Sequence, residues 1–476
     1  MTIITVLLFS FLGAVSTAQA SAVIFSSPAN SGPFTLAGTL DYLSETLFTA
    51  LAHPAFPCHG MHIKKSHFCD ETVNTYTGYI DISEAHHLFF YFFESRSEPD
   101  KDNIIFWTNG GLGCLSSTGL FMELGPCRVV NAENGMVFHQ ESWNSKVNVF
   151  FIDQPISVGF SYAEYGKTVG TTEDPANDIA AFVAIFFAHF TKFQGQGIHM
   201  AGESYGGQYL PLFTAAIYEQ NPHLVEAGLP LINLVSVMIG NRMLDVLTMM
   251  LAWFEMQCSS ALVVPVQDIQ TCVQMKAMLP RCKKWMKESC QDQFNLINCN
   301  TAMSFCETAL LKPYLVLTMI STGLSLYDVT KKCEGDSGLC YTVIEEIIKY
   351  LNKKDVQAQL GVKPGVYMVC SETVGNGFTG ATDYIAGLLE HGVHVLIFAG
   401  SYDWVCSWIG NERWTVMLEW SGQVEFSVQL LREWTVGCTR AGKMCSAKGM
   451  MFATVDAAGH MVHYDKPKES LEMVNI

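Results

Sequence analysis

"HMAGESYGGQYLPLF", residues 199–213, is the stretch on which the fold turns. Its apolar start ends at Gly202, Glu203-Ser204-Tyr205-Gly206 follows, and the spacing after Gly206 is helical. A G-x-S-x-G pentapeptide between a buried strand and a helix makes a tight turn. Its glycines let neighbouring backbone pass without a Cβ clash, and the serine hydroxyl is lifted above the sheet. The N–H that follows the serine is then free to meet an oxyanion. Gly and Ser are common, so the pentapeptide alone says little and its setting decides.

The setting is a series of short apolar runs. "NIIFWTNGG" (103–111), "VNVFFIDQP" (147–155) and "GIHMAGES" (197–204) each stop at a turn containing Gly or Pro. Buried strands of a mostly parallel sheet read this way. "DPANDIAAFVAIFFAHF" (174–190) carries helical spacing between two of them, which gives a strand–helix–strand order. "TGYIDI" (77–82) and "HHLFFYFFES" (86–95) read as paired antiparallel strands. After "LINLVSVMIGN" (231–241) the alternation breaks, and the Met-, Lys- and Cys-rich chain from about 244 to 338 is expected as an inserted cap. The sheet pattern resumes with "HVLIFAG" (394–400) and "GMMFATVDAAGH" (449–460).

The chain has 476 residues, 49% of them hydrophobic and 12% aromatic, enough for a large core. Its net charge of −17 repels phosphate backbones and argues against nucleic-acid partners. "MTIITVLLFSFLGAVSTAQA" (1–20) has an apolar run too short to span a bilayer, followed by Ala18-Gln19-Ala20. It reads as a cleaved secretory signal, with no membrane contact afterwards and a secreted or vacuolar destination. The 16 cysteines agree with an oxidising compartment. No two are closer than seven positions, so no C-x-x-C metal or redox pair exists. No N-x-Ser/Thr glycosylation acceptor is present. Residues 21–70, with Pro54 and Pro57, are expected as a pro-segment or N-terminal arm, and 71–476 as the main domain.

A serine needs a base, and the base needs an orienting carboxylate. In this sheet class the order is Ser, Asp, His. "HVLIFAG" runs into Asp403 and "FATVDAAG" into His460, so Ser204, Asp403 and His460 stand in that order at three strand ends. "CEGDSGLC" (333–340) contains the Gly-Asp-Ser-Gly of another protease class. That class orders its triad His, Asp, Ser, so a stapled turn is expected here instead.

"WTNGGLGC" (107–114), "FMELGP" (121–126), "DQPISVGFSY" (153–162), "GESYGGQY" (202–209), "IGN" (239–241), "GSYDWVC" (400–406) and "AGHMV" (458–462) resemble the serine carboxypeptidases of the carboxypeptidase Y type. The likeness runs from about Tyr76 to the C-terminus. It implies an α/β-hydrolase fold, with a mostly parallel central sheet and a helical, disulfide-rich cap. It also implies an enzyme that removes single residues from peptide and protein C-termini at acidic pH. By resemblance Ser204 is the nucleophile, His460 the general base and acid, and Asp403 its orienter. The N–H groups of Gly111 and Tyr205 form the oxyanion hole. Asn109, Glu203, Gly110 and Glu123, with Trp107 nearby, hold the substrate carboxylate, and Cys406 and Met461 line pockets.

Two carboxyl groups forced together cannot both ionise cheaply, so the Glu123–Glu203 pair is expected to keep a proton into mildly acidic pH and to donate it to the substrate carboxylate. The resemblance also implies disulfides Cys258–Cys272, Cys282–Cys306, Cys290–Cys299, Cys333–Cys340 and Cys114–Cys370, with Cys406 free. Cys58, Cys69, Cys127, Cys438 and Cys445 stay unassigned, although 438–445 would staple a hairpin. Leu112 and His463 replace prolines, Arg242 a glycine and Ser407 an asparagine, and the segment after Cys370 is short. These departures leave two alternatives open: an acyltransferase or esterase, or a catalytically weak scaffold. No metal or organic cofactor is implied, and the assembly is a monomer or homodimer.

Overall fold

A computed structural model describes residues 40–82, 85–111, 115–164, 173–261, 264–335, 339–368 and 381–474. The strands, in chain order, are β1 (Thr49–Ala52), β2 (His59–Ser66), β3 (Thr75–Ile82), β4 (His86–Phe93), β5 (Ile104–Thr108), β6 (Cys127–Asn131), β7 (Gly135–Phe138) and β8 (Asn148–Ile152). They continue with β9 (Tyr162–Ala163), β10 (Ile198–Glu203), β11 (Leu234–Gly240), β12 (His394–Gly400), β13 (Arg432–Val436), β14 (Thr439–Ala447) and β15 (Met450–Val455). One large sheet runs β1-β2-β3-β4-β8-β5-β10-β11-β12-β15-β14-β13, with β9 beside β4 and a separate β6-β7 hairpin. Its middle, from β8 through β15, is parallel. Both flanks are antiparallel.

The strands bury both faces, and their side chains alternate between two cores. Phe90, Phe92, Phe106, Phe150, Met200, Val237 and Ile397 face one core, together with Phe182 and Phe186 of the helix Glu173–His189. Phe89, Tyr91, Ile105, Trp107, Phe151, Met238 and Phe398 face the other. Phe150 lies between Phe92 at 4.1 Å and Phe106 at 4.8 Å, both stacked, and meets Phe182 edge-on at 5.6 Å. Such pairs add about 0.5–1.5 kcal/mol each beyond their buried area.

Residues 49–66, placed by the sequence in a pro-segment or arm, form β1 and β2 of the sheet. The 70/71 boundary falls between Ser66 and Thr75, which pair across β2 and β3. "HGMHIKKS" hid this because a flanking strand carries polar residues in alternation. Met61 and Ile63 are buried, and the buried Lys64 gives its Nζ to the Gln359 carbonyl at 3.0 Å.

Between β11 and β12 the chain leaves the sheet for helices including Val246–Cys258, Ile269–Met286 and Leu296–Cys306. Bonds Cys258–Cys272, Cys282–Cys306, Cys290–Cys299 and Cys333–Cys340 tie this region. Met249, Trp253, Met256, Met275, Met286 and Tyr314 form its core. Trp404 enters that core, stacked on Trp253 at 5.4 Å and on Tyr314 at 4.2 Å.

The structure assigns two pairs of cysteines that the sequence left open. Cys69 and Cys127 are bonded, Cα–Cα 5.5 Å. Cys438 and Cys445 are free: Cys438 sits in the hairpin turn while Cys445 pairs with Phe452 far along β14, roughly 20 Å away at strand rise. Cys406 is free and buried, as expected. Cys114–Cys370, Leu112 and the segment after Cys370 lie outside the described residues, as do residues 1–20.

Arg242 is fully buried, and among the described residues none of its three guanidinium nitrogens has a hydrogen-bond partner. Burial holds it well below its ordinary pKa, and its main contact is the face of Trp414 at 5.6 Å. An unpaired buried cation costs more than an apolar side chain of the same reach. Arg242→Met is therefore expected to stabilise the fold by about 1–3 kcal/mol in denaturant unfolding; a destabilised variant would show that the guanidinium is satisfied.

Candidate active site

The turn after β10 is built by close backbone approach. A Cβ on Gly202 would sit 2.0 Å from the Thr108 carbonyl of β5, and one on Gly110 would sit 2.3 Å from the Tyr205 nitrogen. Only glycine lets these two turns touch. Ser204 itself has φ +55°, in the left-handed region that non-glycine residues avoid. Its N–H is tied to the Gly240 carbonyl at 2.9 Å, and the helix Gly206–Glu219 starts directly after. Such strain is retained where a side chain must be aimed.

Asp403 and His460 follow the ends of β12 and β15. His460 Nδ1 and Asp403 Oδ2 are 2.7 Å apart, and both residues are buried. Asp403 Oδ2 also accepts from Asn241 Nδ2 at 2.6 Å, and Oδ1 accepts the Cys406 N–H at 3.1 Å. Asn241, at φ +41° at the end of β11, is thus a second support for Asp403. "IGN" signalled its place, but no role was read from it. The His460 N–H is held by the Tyr327 carbonyl at 2.7 Å, and the Tyr327 ring lies 5.2 Å from the imidazole.

Ser204 and His460 line one cleft with Asn109, Gly110, Gly111 and Glu203, and with Tyr327 and Met461. Among the described residues Ser204 makes no hydrogen bond to His460, and such contacts commonly tighten only around substrate. Neither the Gly111 N–H nor the Tyr205 N–H meets an acceptor among the described residues, and Gly111 has φ +65°. Cys406 is buried, with its sulfur within 4.8 Å of an Asp403 oxygen and a His460 nitrogen. A wider cavity of about 490 Å³ lies between the cap and Trp414, but no member of the Ser204, Asp403, His460 set lines it.

At the other end of the cleft, Asn109 organises two acids. Its Oδ1 accepts from Trp107 Nε1 at 2.7 Å and from the Gly119 N–H at 2.8 Å. Two donors on the oxygen fix the amide orientation. The Nδ2 therefore faces Glu123 Oε1 and Glu203 Oε1, each at 3.0 Å. Glu123 is 0% exposed and Glu203 1%. Burial pushes Glu123 up to about 7, against the pull of Asn109, His460 and Arg128. Burial and the Glu123 charge raise Glu203 well above the carboxylate range. The two carboxyl groups are in hydrogen-bond contact with each other, which a proton on the pair allows, and the second oxygen of each meets no other donor among the described residues. Two clusters bring three possible metal-ligand atoms within 4.8 Å of one another: Asp403, Cys406 and His460, and Glu123, Glu203 and His463. In the first, Asp403 and His460 are already bonded to each other.

Among the described residues no single helix is long and apolar enough to cross a membrane; one bent pair, Leu296–Leu311 with Tyr314–Thr322, passes on length and composition.

Comparison with known proteins accords with this geometry. The chain is 38% identical to carboxypeptidase Y of Candida albicans over 432 residues, which is 88% of this chain and 76% of that protein. It is 37% identical to a vacuolar serine-type carboxypeptidase of Saccharomyces cerevisiae, covering 85% and 79% of the two chains. A prohormone-processing carboxypeptidase from Saccharomyces cerevisiae superimposes with a TM-score of 0.70 at 24% identity, over 89% of this chain and 92% of that one. At that identity the likeness speaks for the fold, an α/β-hydrolase. The serine carboxypeptidase family profile matches residues 67–476, and the chain belongs to that family of peptide-bond hydrolases.

Proposed function

We propose that the cleft removes C-terminal residues from peptides by acyl transfer through Ser204, at acidic pH. The observation that carries this is the meeting, in one cleft, of Ser204 and the His460–Asp403 pair with a buried acid clamp. Ser204 Oγ attacks the last peptide carbonyl while His460 Nε2 takes its proton. The Gly111 and Tyr205 N–H groups meet the oxyanion. His460 returns the proton to the leaving amine, and water then releases the acyl group by the same route. Asp403, supported by Asn241, holds the imidazole with Nδ1–H inward.

The clamp of Asn109, Gly110, Glu123 and Glu203, backed by Trp107, receives the substrate carboxylate. Both acids ionised would repel it, while one proton on the pair supplies a donor. An acceptor of simple esters or amides has no use for such a clamp, so peptides are favoured over the acyltransferase or esterase alternative. A cleaved leader at residues 1–20 fits a secretory-pathway enzyme, secreted or vacuolar, that works as a monomer or homodimer without cofactor.

A peptide digested at about pH 5 is expected to give a ladder of products shortened from the C-terminus, read by mass spectrometry. Ser204→Ala should lower the rate by at least about 10³-fold. Internal cleavage, or an active Ser204→Ala, would overturn the assignment.

The pH dependence has a definite sign. As pH rises through the raised titration of the pair, the clamp loses its proton, so kcat/KM should fall for peptides with a free carboxylate and less so for the same peptides amidated. Equal profiles would remove the clamp from the mechanism. The same shift sets stability. The folded pair holds its proton more tightly than the unfolded chain, so stability is fully present below the ordinary carboxyl value of 4.5 and is lost as pH rises toward the folded value. Glu123→Gln should therefore raise the unfolding temperature relative to wild type at pH 7 and not at pH 4; equal gains at both would exclude proton linkage.

A further inference from the structure

Beside the acid pair lies a histidine that this chemistry leaves unused. His463 is fully buried. Its ring meets Trp107 and Trp143 at 4.9 Å and Phe398 at 5.4 Å, all near edge-on. A short relay favours one tautomer. Trp143 Nε1–H donates to Ser470 Oγ at 2.8 Å. Ser470 then has one proton to give, and His463 Nδ1 lies 2.5 Å away to accept it. The ring proton is left on Nε2, which has no partner. A nitrogen of this ring and one oxygen from each of Glu123 and Glu203 lie within 4.8 Å of one another. With Nδ1 engaged by Ser470, Nε2 is the nitrogen with capacity left. The oxygens with capacity left are Glu123 Oε2 and Glu203 Oε2. The His463 ring and the two acids, themselves in contact with each other, thus share one buried corner.

The ring acts as a dipole and not as a charge. Burial first, and Arg128 second, push His463 down to about 3, so it is neutral throughout the working range. We propose that His463 is a positioning residue for the clamp: its Nε2–H, set by Ser470, favours the ionised acid pair and so lowers the pH at which the clamp gives up its proton. The inference rests on the clamp reading above. A donor to the charged form acts in the same sense as the Asn109 amide.

The other groups facing the pair are accounted for. His460 and Arg128 pull Glu123 down, and Asp403 pushes Glu203 up. Arg128 Nη2 bonds the carbonyls of both Glu123 and His463, at 2.6 and 3.0 Å, and lies over Tyr464. Asp465, on the same short helix Val462–Asp465, is engaged by Lys331 and the Gly459 N–H. None of these is a neutral donor that deletion of His463 would leave in its place. Position 463 lies in the first turn of that helix, where the backbone N–H has no intrahelical acceptor, so proline is admissible there. The consequence is an enzyme confined more tightly to acidic conditions than two carboxyls and one amide would make it.

The test compares wild type with His463→Pro, His463→Leu and His463→Gln. Each is assayed for kcat/KM against pH on a peptide with a free C-terminal carboxylate and on its amidated twin. Two donor-less variants are used so that a folding failure in one leaves the other. The alkaline limb of the free-peptide profile is expected to move up by about half to one pH unit in His463→Pro and His463→Leu. It should stay close to wild type in His463→Gln, whose amide N–H replaces the donor, and the amidated profile should not move. An unmoved limb, an equal shift on both substrates, or a Gln variant that behaves like Leu would overturn the role of His463. Identical wild-type profiles on the two substrates would instead overturn the clamp itself.

Discussion

The Asn109 carboxamide is the constraint on which the site depends. Its oxygen is taken by Trp107 and Gly119, so its NH₂ has to face Glu123 and Glu203. Each acid is thereby fixed by one oxygen and pressed against the other acid in a dry interior. Two such groups cannot both be charged, and a proton is the least costly remedy. The same turn that carries Asn109 continues through Gly110 into contact with the Tyr205 nitrogen. The proton-bearing clamp and the serine turn are therefore one mechanical unit. A shift in the β5 turn would move Asn109, with the two acids it holds, and the turn at Tyr205 together.

The cap is joined to this unit through Trp404. That residue follows Asp403 directly and is stacked between Trp253 and Tyr314 of the cap, while Trp253 Nε1 donates to the Val405 carbonyl at 3.0 Å. The returning cap segment supplies the Tyr327 carbonyl to the His460 N–H and, through Lys331, an ion pair to Asp465 at 2.6 Å. The cap thus contacts His460 directly and grips the residues that follow Asp403. An insertion that appears in the sequence as a cysteine-rich interruption is part of what holds the relay.

The central sheet was legible because parallel strands buried on both faces leave uninterrupted apolar runs that end at turns containing Gly or Pro. β5, β8 and β10 each do so. The serine turn and the ends of β12 and β15 followed from chain order. β1 and β2 were not legible, because flanking strands such as "HGMHIKKS" mix polar residues, a buried lysine among them, with few apolar ones. The Cys69–Cys127 bond was missed because its partners are 58 residues apart and nothing local links them. Asn241 escaped assignment for a related reason: its contact with Asp403 spans 162 positions, and only the folded chain brings the ends of β11 and β12 side by side.

The departures from the resemblance fall into two physical kinds. Arg242 places a long cation against the Trp414 face with no acceptor, and nothing on the cleft wall uses it. It reads as a stability cost carried by the scaffold. His463 places a polar ring in an equally dry position, yet it is tied to Trp143 through Ser470, and the groups it approaches are the paired acids Glu123 and Glu203. Burial alone therefore does not separate a tolerated substitution from a functional one. The difference lies in whether neighbouring hydrogen bonds fix the direction of the new donor and whether that direction meets a group whose charge changes in the reaction.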